Sequence, residues 1–108
     1  MQKTPLVSVI INCFNGDKYL SQAINSVLNQ SYKNWEIIFF DNNSTDNSFR
    51  IIKKFNDKRI RYFRSSKTET LYKARNLAVD KSKGKFISFL DVDDWWKKNK
   101  LKKQVDFF

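Results

Sequence analysis

Phe86-Ile87-Ser88-Phe89-Leu90-Asp91-Val92-Asp93-Asp94-Trp95-Trp96 is the stretch that decides the fold. Its first five residues form a short, mostly apolar run of strand length that leads straight into a carboxylate cluster. Asp91, Asp93 and Asp94 repel one another, so crowding them together is costly unless a cation lies among them. A hard divalent ion carrying a phosphate-bearing ligand meets that need most simply. In open α/β sheets the ligand crevice lies outside the carboxyl ends of the strands, which is where these acids fall. The stretch therefore predicts a buried strand with a metal-type ligand set at its mouth.

Working outward, the same alternation recurs. Leu6 to Ile11 is an apolar run suited to a central parallel strand, followed by a turn over Asn12-Cys13-Phe14-Asn15-Gly16. Leu20, Ala23, Ile24, Val27 and Leu28 have helical spacing and predict an amphipathic helix from about Asp17 to Gln30. Trp35 to Phe40 reads as a second strand, and Asp41 to Asp46 as a polar turn rich in N-cap residues. Phe49, Ile52 and Phe55 mark a second helix, and Ile60 to Phe63 a short third strand. Leu71, Ala74, Leu77 and Ala78 mark a third helix ending near Gly84, and Trp95 onward a final helix running to Phe108. The order β-α-β-α-β-α-β-(α) predicts a Rossmann-like α/β fold, with a mostly parallel sheet of about four strands and helices on both faces.

Composition sets limits. The 108 residues are 41% hydrophobic and include ten Phe, enough for a real core in one domain spanning 1–108. Two Gly and one Pro argue against a linker or low-complexity chain. No apolar stretch approaches the ~20 residues that span a bilayer, and the start, from Met1 to Pro5, carries no signal-peptide pattern. A lone Cys13 suits a reducing cytosol, and with no His it excludes a structural zinc site of the usual kind. Net charge is +10, with Lys97, Lys98, Lys100, Lys102 and Lys103 gathered at the end. That run is either a solvated helix face or an attraction to anions such as nucleotide phosphates and lipid head groups.

In a parallel sheet all strand carboxyl ends open on one side, which brings the loops 12–16, 41–46 and 91–94 together. The first two carry side chains suited to hydrogen-bonding a base or ribose, and Phe14 could stack on a base. The chain has neither a G-x-G-x-x-G nor a G-x-x-x-x-G-K-[ST] loop, so a metal rather than a glycine-rich nest would neutralise phosphates.

Several ordered fragments carry a resemblance. They are Val7-Ser8-Val9-Ile10-Ile11, Phe14-Asn15, Leu20 to Tyr32, Trp35-Glu36-Ile37-Ile38, Asp41-Asn42-Asn43-Ser44-Thr45-Asp46, Ala74-Arg75-Asn76-Leu77-Ala78, Lys83 to Ile87 and Leu90 to Trp96. Together, in this order over nearly the whole chain, the set resembles the family 2 inverting glycosyltransferases of the GT-A fold. The resemblance implies a transferase that uses a nucleotide-diphosphate sugar, commonly UDP- or dTDP-linked, with Mn²⁺ or Mg²⁺. By position it implies that Phe14 stacks on the base with Asn12 beside it, and that Asp41 and Asn42 read the base. It further places Asp91 near the ribose, Asp93 on the metal and Arg75 near the diphosphate. A glycan or lipid-linked acceptor for a cell-surface polysaccharide follows, with a cytoplasmic location, at the inner face of the membrane where peripheral association applies.

The chain departs from the family pattern at Asn12, where Pro or Thr is usual, at Asn42, where a second Asp is common, and at Thr70, where a glycine is expected upstream of the Ala-Arg-Asn segment. Length is the largest departure. An inverting transfer needs a carboxylate base to deprotonate the acceptor hydroxyl. That base belongs to the family's acceptor half and is expected beyond Phe108, so the chain reads as the donor-binding half, by itself inactive or nearly so in transfer.

Structural alternatives stand beside each assignment. Asp91 and Asp93 could form a solvated acidic turn with Asp94 as a helix cap, and Asp41 an Asx turn capping the second helix. Phe14, Trp95 and Trp96 could be packing residues, Arg75 a partner for a nearby acid, Asp46 helix-start chemistry and Cys13 a small buried residue. Among rival functions, a haloacid dehalogenase phosphatase would place its D-x-D at the start of the fold rather than at residue 91. A nucleic-acid binder rests on charge alone, with no recognition motif. A non-catalytic nucleotide-binding or partner-docking module remains the alternative to the transferase reading.

Overall fold

A computed structural model of the chain describes residues 4–107; the readings made of Met1, Gln2, Lys3 and Phe108 lie outside the described residues. Four strands, β1 (Val7–Cys13), β2 (Trp35–Asp41), β3 (Ile60–Arg64) and β4 (Phe86–Phe89), form one parallel sheet in the order β3-β2-β1-β4. The helices are α1 (Leu20–Leu28), α2 (Ser48–Lys53), α3 (Leu71–Asp80) and α4 (Lys100–Phe107). The expected α/β alternation and strand set are observed. Among the described residues no helix is long and apolar enough to cross a membrane.

Strand composition explains the sheet order. β2 is buried at all seven positions and β1 at all but Asn12, as near-continuous apolar runs require for central parallel strands. β3 and β4 are only partly buried and take the two edges. Side chains alternate across the pleat. Val9, Ile11 and Cys13 of β1 join Ile37 and Phe39 of β2 on one face, where α1, α2 and α4 supply Leu20, Ala23, Ile24, Val27, Ile52 and Leu101. Ile10, Ile38 and Phe40 meet Ala74 and Ala78 of α3 on the other face. The chain steps outward from β1 through β2 to β3 with α1 and α2 on one face. It then returns past β1 to β4 with α3 on the opposite face, as right-handed crossovers demand when the direction of travel reverses.

Several element boundaries differ from the sequence reading. Asn12 and Cys13 belong to β1 rather than to a turn, because they pair in register with Phe40 and Asp41. α1 begins at Leu20, three residues later than expected, since Asp17 accepts from Asn47 N at 3.2 Å and its own N–H donates to Asp46 Oδ2 at 3.0 Å. α2 and α3 end at Lys53 and Asp80, short of Phe55 and Gly84. α4 begins at Lys100, not Trp95. Gln30, wholly buried two residues past the end of α1, accepts from Leu101 N at 2.9 Å and donates to Lys97 O at 2.6 Å, holding 95–99 as an irregular strap against α1.

A buried polar cluster at the amino edge fixes the α3–β4 connection. Glu36 accepts from Ser8 Oγ at 2.6 Å and Lys83 N at 2.7 Å and pairs with Arg61 at 3.0 Å, while Ser8 Oγ accepts from Gly84 N at 2.8 Å. Burial alone would raise the Glu36 pKa; the three hydrogen bonds and the Arg61 charge outweigh it and hold the carboxyl below its ordinary value.

Candidate functional site at the carboxyl edge

Three loops meet at the carboxyl edge, and specific contacts bring them together. Asn15, at a left-handed φ of 52°, accepts through Oδ1 from Thr45 N at 2.8 Å, and its own N–H donates to Ser44 Oγ at 2.9 Å. Asn tolerates that backbone region better than most residues. Gly16 N donates to Ser48 Oγ at 3.1 Å, so the loop after β1 is laced both to the loop after β2 and to the start of α2. The loop after β4 docks by packing instead: a Cβ built on Gly16 would lie 2.9 Å from Val92 Cγ1, the side chain between Asp91 and Asp93.

Two adjoining cavities form a groove along this edge. One, of about 210 Å³, is lined by Asn12, Phe14, Asn42, Thr68, Glu69 and Leu71, together with Cys13. A smaller one, of about 30 Å³, lies against Ile10, Phe89, Leu90, Arg75 and Asp91. Asn12 and Leu71 line both. Phe14 is 53% exposed at the mouth of the larger cavity, so it is not a core residue. Asn12 Oδ1 is buried with no hydrogen-bond partner among the described residues, an unmet acceptor where the two cavities join.

Asp41 and Asn42 are engaged by the protein itself. Asp41 is wholly buried; its Oδ1 accepts from Ser44 N at 2.9 Å, and its Oδ2 from Tyr62 Oη at 2.6 Å and Arg64 Nη1 at 3.1 Å. Arg64 stands directly opposite Asp41 in the parallel register. The Asx turn at Asp41 thus closes on Ser44 and does not cap α2. Burial, then the hydrogen bond to Asp41, pushes the Tyr62 hydroxyl up to about 12. Asn42 donates to Glu69 O at 2.9 Å and accepts from Glu69 N at 2.8 Å, an amide-to-backbone pair that tethers the segment before α3. Thr70 caps α3 by accepting from Lys73 N at 3.2 Å. Neither the Tyr62–Asp41–Arg64 cluster nor the Glu69 tether was read from the sequence. The i, i+2 placement of Tyr62 and Arg64 on β3 was the one available signal for the cluster.

Arg75 and Asp91 approach to 3.8 Å, and the guanidinium lies 5.3 Å from the Phe89 ring centre. Both side chains are substantially exposed, so their attraction is weak and leaves both open to a ligand. Asp93 is exposed beyond the lining of the two cavities. Asp94 accepts from Trp95 N at 2.8 Å and caps no helix. Asp46 accepts from Ser48 N at 2.9 Å and Asp17 N at 3.0 Å; burial opposes but does not cancel these bonds, and its pKa is lowered. Cys13 is wholly buried, and burial raises its thiol pKa.

Among the described residues no group of three or more His, Cys, Asp or Glu could enclose a metal. The donors available are the exposed carboxylates of Asp91, Asp93 and Asp94 on one turn, the last already accepting from Trp95 N. That set suits an ion of the Mg²⁺ type, which takes one or two carboxylates and completes its shell with phosphate oxygens and water, rather than an all-protein cage.

Comparison with known proteins bears on the fold and the family. An uncharacterized glycosyltransferase of Haemophilus influenzae is 43% identical over 105 residues, covering 95% of this chain and 42% of that protein. The Escherichia coli protein named UDP-Glc:alpha-D-GlcNAc-diphosphoundecaprenol beta-1,3-glucosyltransferase WfgD is 40% identical over 100 residues, covering 93% and 40%. S. aureus TarS 1-349 in complex with UDP-GlcNAc matches with a TM-score of 0.89 at 30% identity, covering 94% of this chain and 30% of that one. The architecture is therefore that of GT-A glycosyltransferases, and the chain spans less than half the length of these relatives. The model of glycosyl transferase family 2 matches residues 8–108, and the chain belongs to that family.

Proposed function

We propose that this chain is the donor-binding part of an inverting glycosyltransferase and takes a UDP-linked sugar at the carboxyl edge. The observation that carries the reading is Asn12 Oδ1, a buried acceptor without a partner at the floor of a groove whose one end holds the exposed Phe14 ring and whose other holds Arg75 and Asp91. A uracil stacked on Phe14 would present its single N–H, at N3, toward Asn12 Oδ1, while Asn42, held on Glu69, and Asp41, held by Tyr62 and Arg64, shape the base pocket. The ribose would reach Asp91 and the diphosphate Arg75. The named activities of WfgD and the UDP-GlcNAc complex of TarS support UDP as the carrier and a lipid-linked saccharide as the acceptor.

Asp93, with Asp91 beside it, would hold Mn²⁺ or Mg²⁺. When bound, that ion supplies positive charge to the diphosphate as it departs. The residues described here bind and orient the donor. The strongly basic chain, +10 overall, would favour anionic surfaces such as the inner face of a membrane bearing the lipid-linked acceptor. Titration calorimetry with UDP tests this reading. We expect binding that strengthens with Mn²⁺ and loses its metal dependence in Asp93→Asn. Equal affinity with and without the ion, or no UDP binding at millimolar concentration, would overturn it.

A further inference from the structure

The outer side of α1 carries a feature that donor binding does not use. From Tyr19 to Tyr32 no residue is charged, in a chain that is 30% charged. The buried side of the helix needs Leu20, Ala23, Ile24 and Val27 to be apolar, but nothing in the core requires the other side to be neutral. There Gln22, Asn25, Ser26 and Asn29 fall at i, i+3, i+4 and i+7, a single stripe of uncharged hydrogen-bonding groups. The side-chain amides of Gln22, Asn25 and Asn29 have no hydrogen-bond partner among the described residues.

The strap over 95–99, held against α1 by Gln30, forms the opposite wall. Between strap and helix lies an open groove of about 700 Å³, lined also by Trp95, Trp96, Lys33 and Lys98. The two tryptophans divide the work. Trp96 packs on the core, with Lys100 Nζ 5.2 Å from its ring centre, whereas Trp95 is 51% exposed. Among the described residues no carboxylate lines the groove.

We propose that this groove binds a saccharide bearing an anionic group, a uronate or a sugar phosphate. Sugar hydroxyls both donate and accept, and carboxamides answer both at once, which charged side chains cannot do. The C–H face of a pyranose is apolar and covers an exposed indole, burying area that water otherwise wets. Two ammonium groups with no opposing acid select for negative charge. The site goes beyond donor binding, needs no nucleotide, and begins where the Asp91–Asp94 turn ends.

Calorimetry on the chain without nucleotide or metal tests it, using a glucuronate-containing oligosaccharide, a hexose 1-phosphate, a neutral oligosaccharide of equal size and inorganic phosphate. At least one anionic saccharide should bind about tenfold tighter than the neutral one. Trp95→Ala and, separately, Asn25→Ala should each weaken it by about tenfold. Lys33→Ala with Lys98→Ala should erase the preference for charge, and the uronate and phosphate arms identify which anion is read. Both Trp95 and Asn25 are exposed, so circular dichroism should be unchanged. The proposal is overturned if no saccharide binds at millimolar concentration, if both variants bind as the parent does, or if inorganic phosphate displaces the sugar completely. Because UDP is absent throughout, failure here leaves donor binding untouched, and Asp93→Asn should not alter the result.

Discussion

Val92 closes on Gly16 with no room for a side chain between them: a Cβ at position 16 would come within 2.9 Å of Val92 Cγ1 and 3.1 Å of Cys13 Sγ. Asp91 and Asp93 flank Val92, so this contact sets how the acidic turn sits against the loop after β1. Gly16→Ala should cost about 1–2 kcal/mol of stability, as overpacking does, and should weaken metal-dependent UDP binding in molecules that remain folded. Gly84→Ala is the control. Its Cβ would meet Ser8 N at 2.6 Å, backbone that cannot yield, so it should destabilise more while leaving affinity per folded molecule unchanged. Denaturant melts paired with calorimetry separate the two. Equal loss of affinity in both variants would show that the Gly16 contact has no particular bearing on the edge.

Asn42 holds Glu69 by giving one hydrogen bond and taking another. Asn42→Asp keeps the acceptor, loses the donor, and places a carboxylate at a site that is 8% exposed. Leaving Glu69 O unmet should cost about 1–2 kcal/mol. Hydrogen exchange should quicken at Glu69 and its neighbours while the β1 and β2 amides stay protected. Unaltered exchange at Glu69 would remove the tether from the account.

Acid should unfold the chain through its depressed carboxylates. Glu36, Asp46 and Asp57 all have folded pKa values below their ordinary ones; for Asp57 the hydrogen bond from Arg59 leads. Each therefore binds a proton more readily when unfolded. Their stabilisation is full above the unfolded range, about 4.3 for Glu and 3.9 for Asp, and fades as pH falls through the folded values. Glu36→Gln should cost about 2 kcal/mol near neutrality, through the lost partner for Arg61, and should flatten the acid limb of a stability–pH curve measured by urea melts.

Tyr62 gives the opposite limb. Its folded pKa is raised, so its contribution is full below about pH 10 and lost as pH climbs toward the folded value of about 12. Tyr62→Phe leaves Asp41 with Ser44 and Arg64, should cost about 1–2 kcal/mol, and should remove that alkaline decline. A variant as stable as the parent at neutral pH would mean that Ser44 and Arg64 suffice for Asp41.

The alternation of strands and helices was legible because each buried strand is a short apolar run and each helix has a 3.6-residue stripe. Trp35 to Phe40 could be little else. Helix ends were less legible. Asp17 looked like a helix start until its backbone and carboxylate were claimed by Asp46 and Asn47, and Trp95 looked like one until Gln30 captured the strap. Those claims come from residues about 30 to 70 positions away, and local propensity carries no record of them.

Taken alone, the sequence determined the parallel α/β layering, the family, and the gathering of three polar loops at one edge, since periodicity and motif order are local properties of the chain. Tertiary structure alone decided that Asp41 is spent on Tyr62 and Arg64, that Asn42 is spent on Glu69, and that Asn12 keeps an unmet acceptor. A polar side chain's task depends on which donors the fold brings within hydrogen-bond reach, and those donors lie on β3 for Asp41 and on the segment before α3 for Asn42.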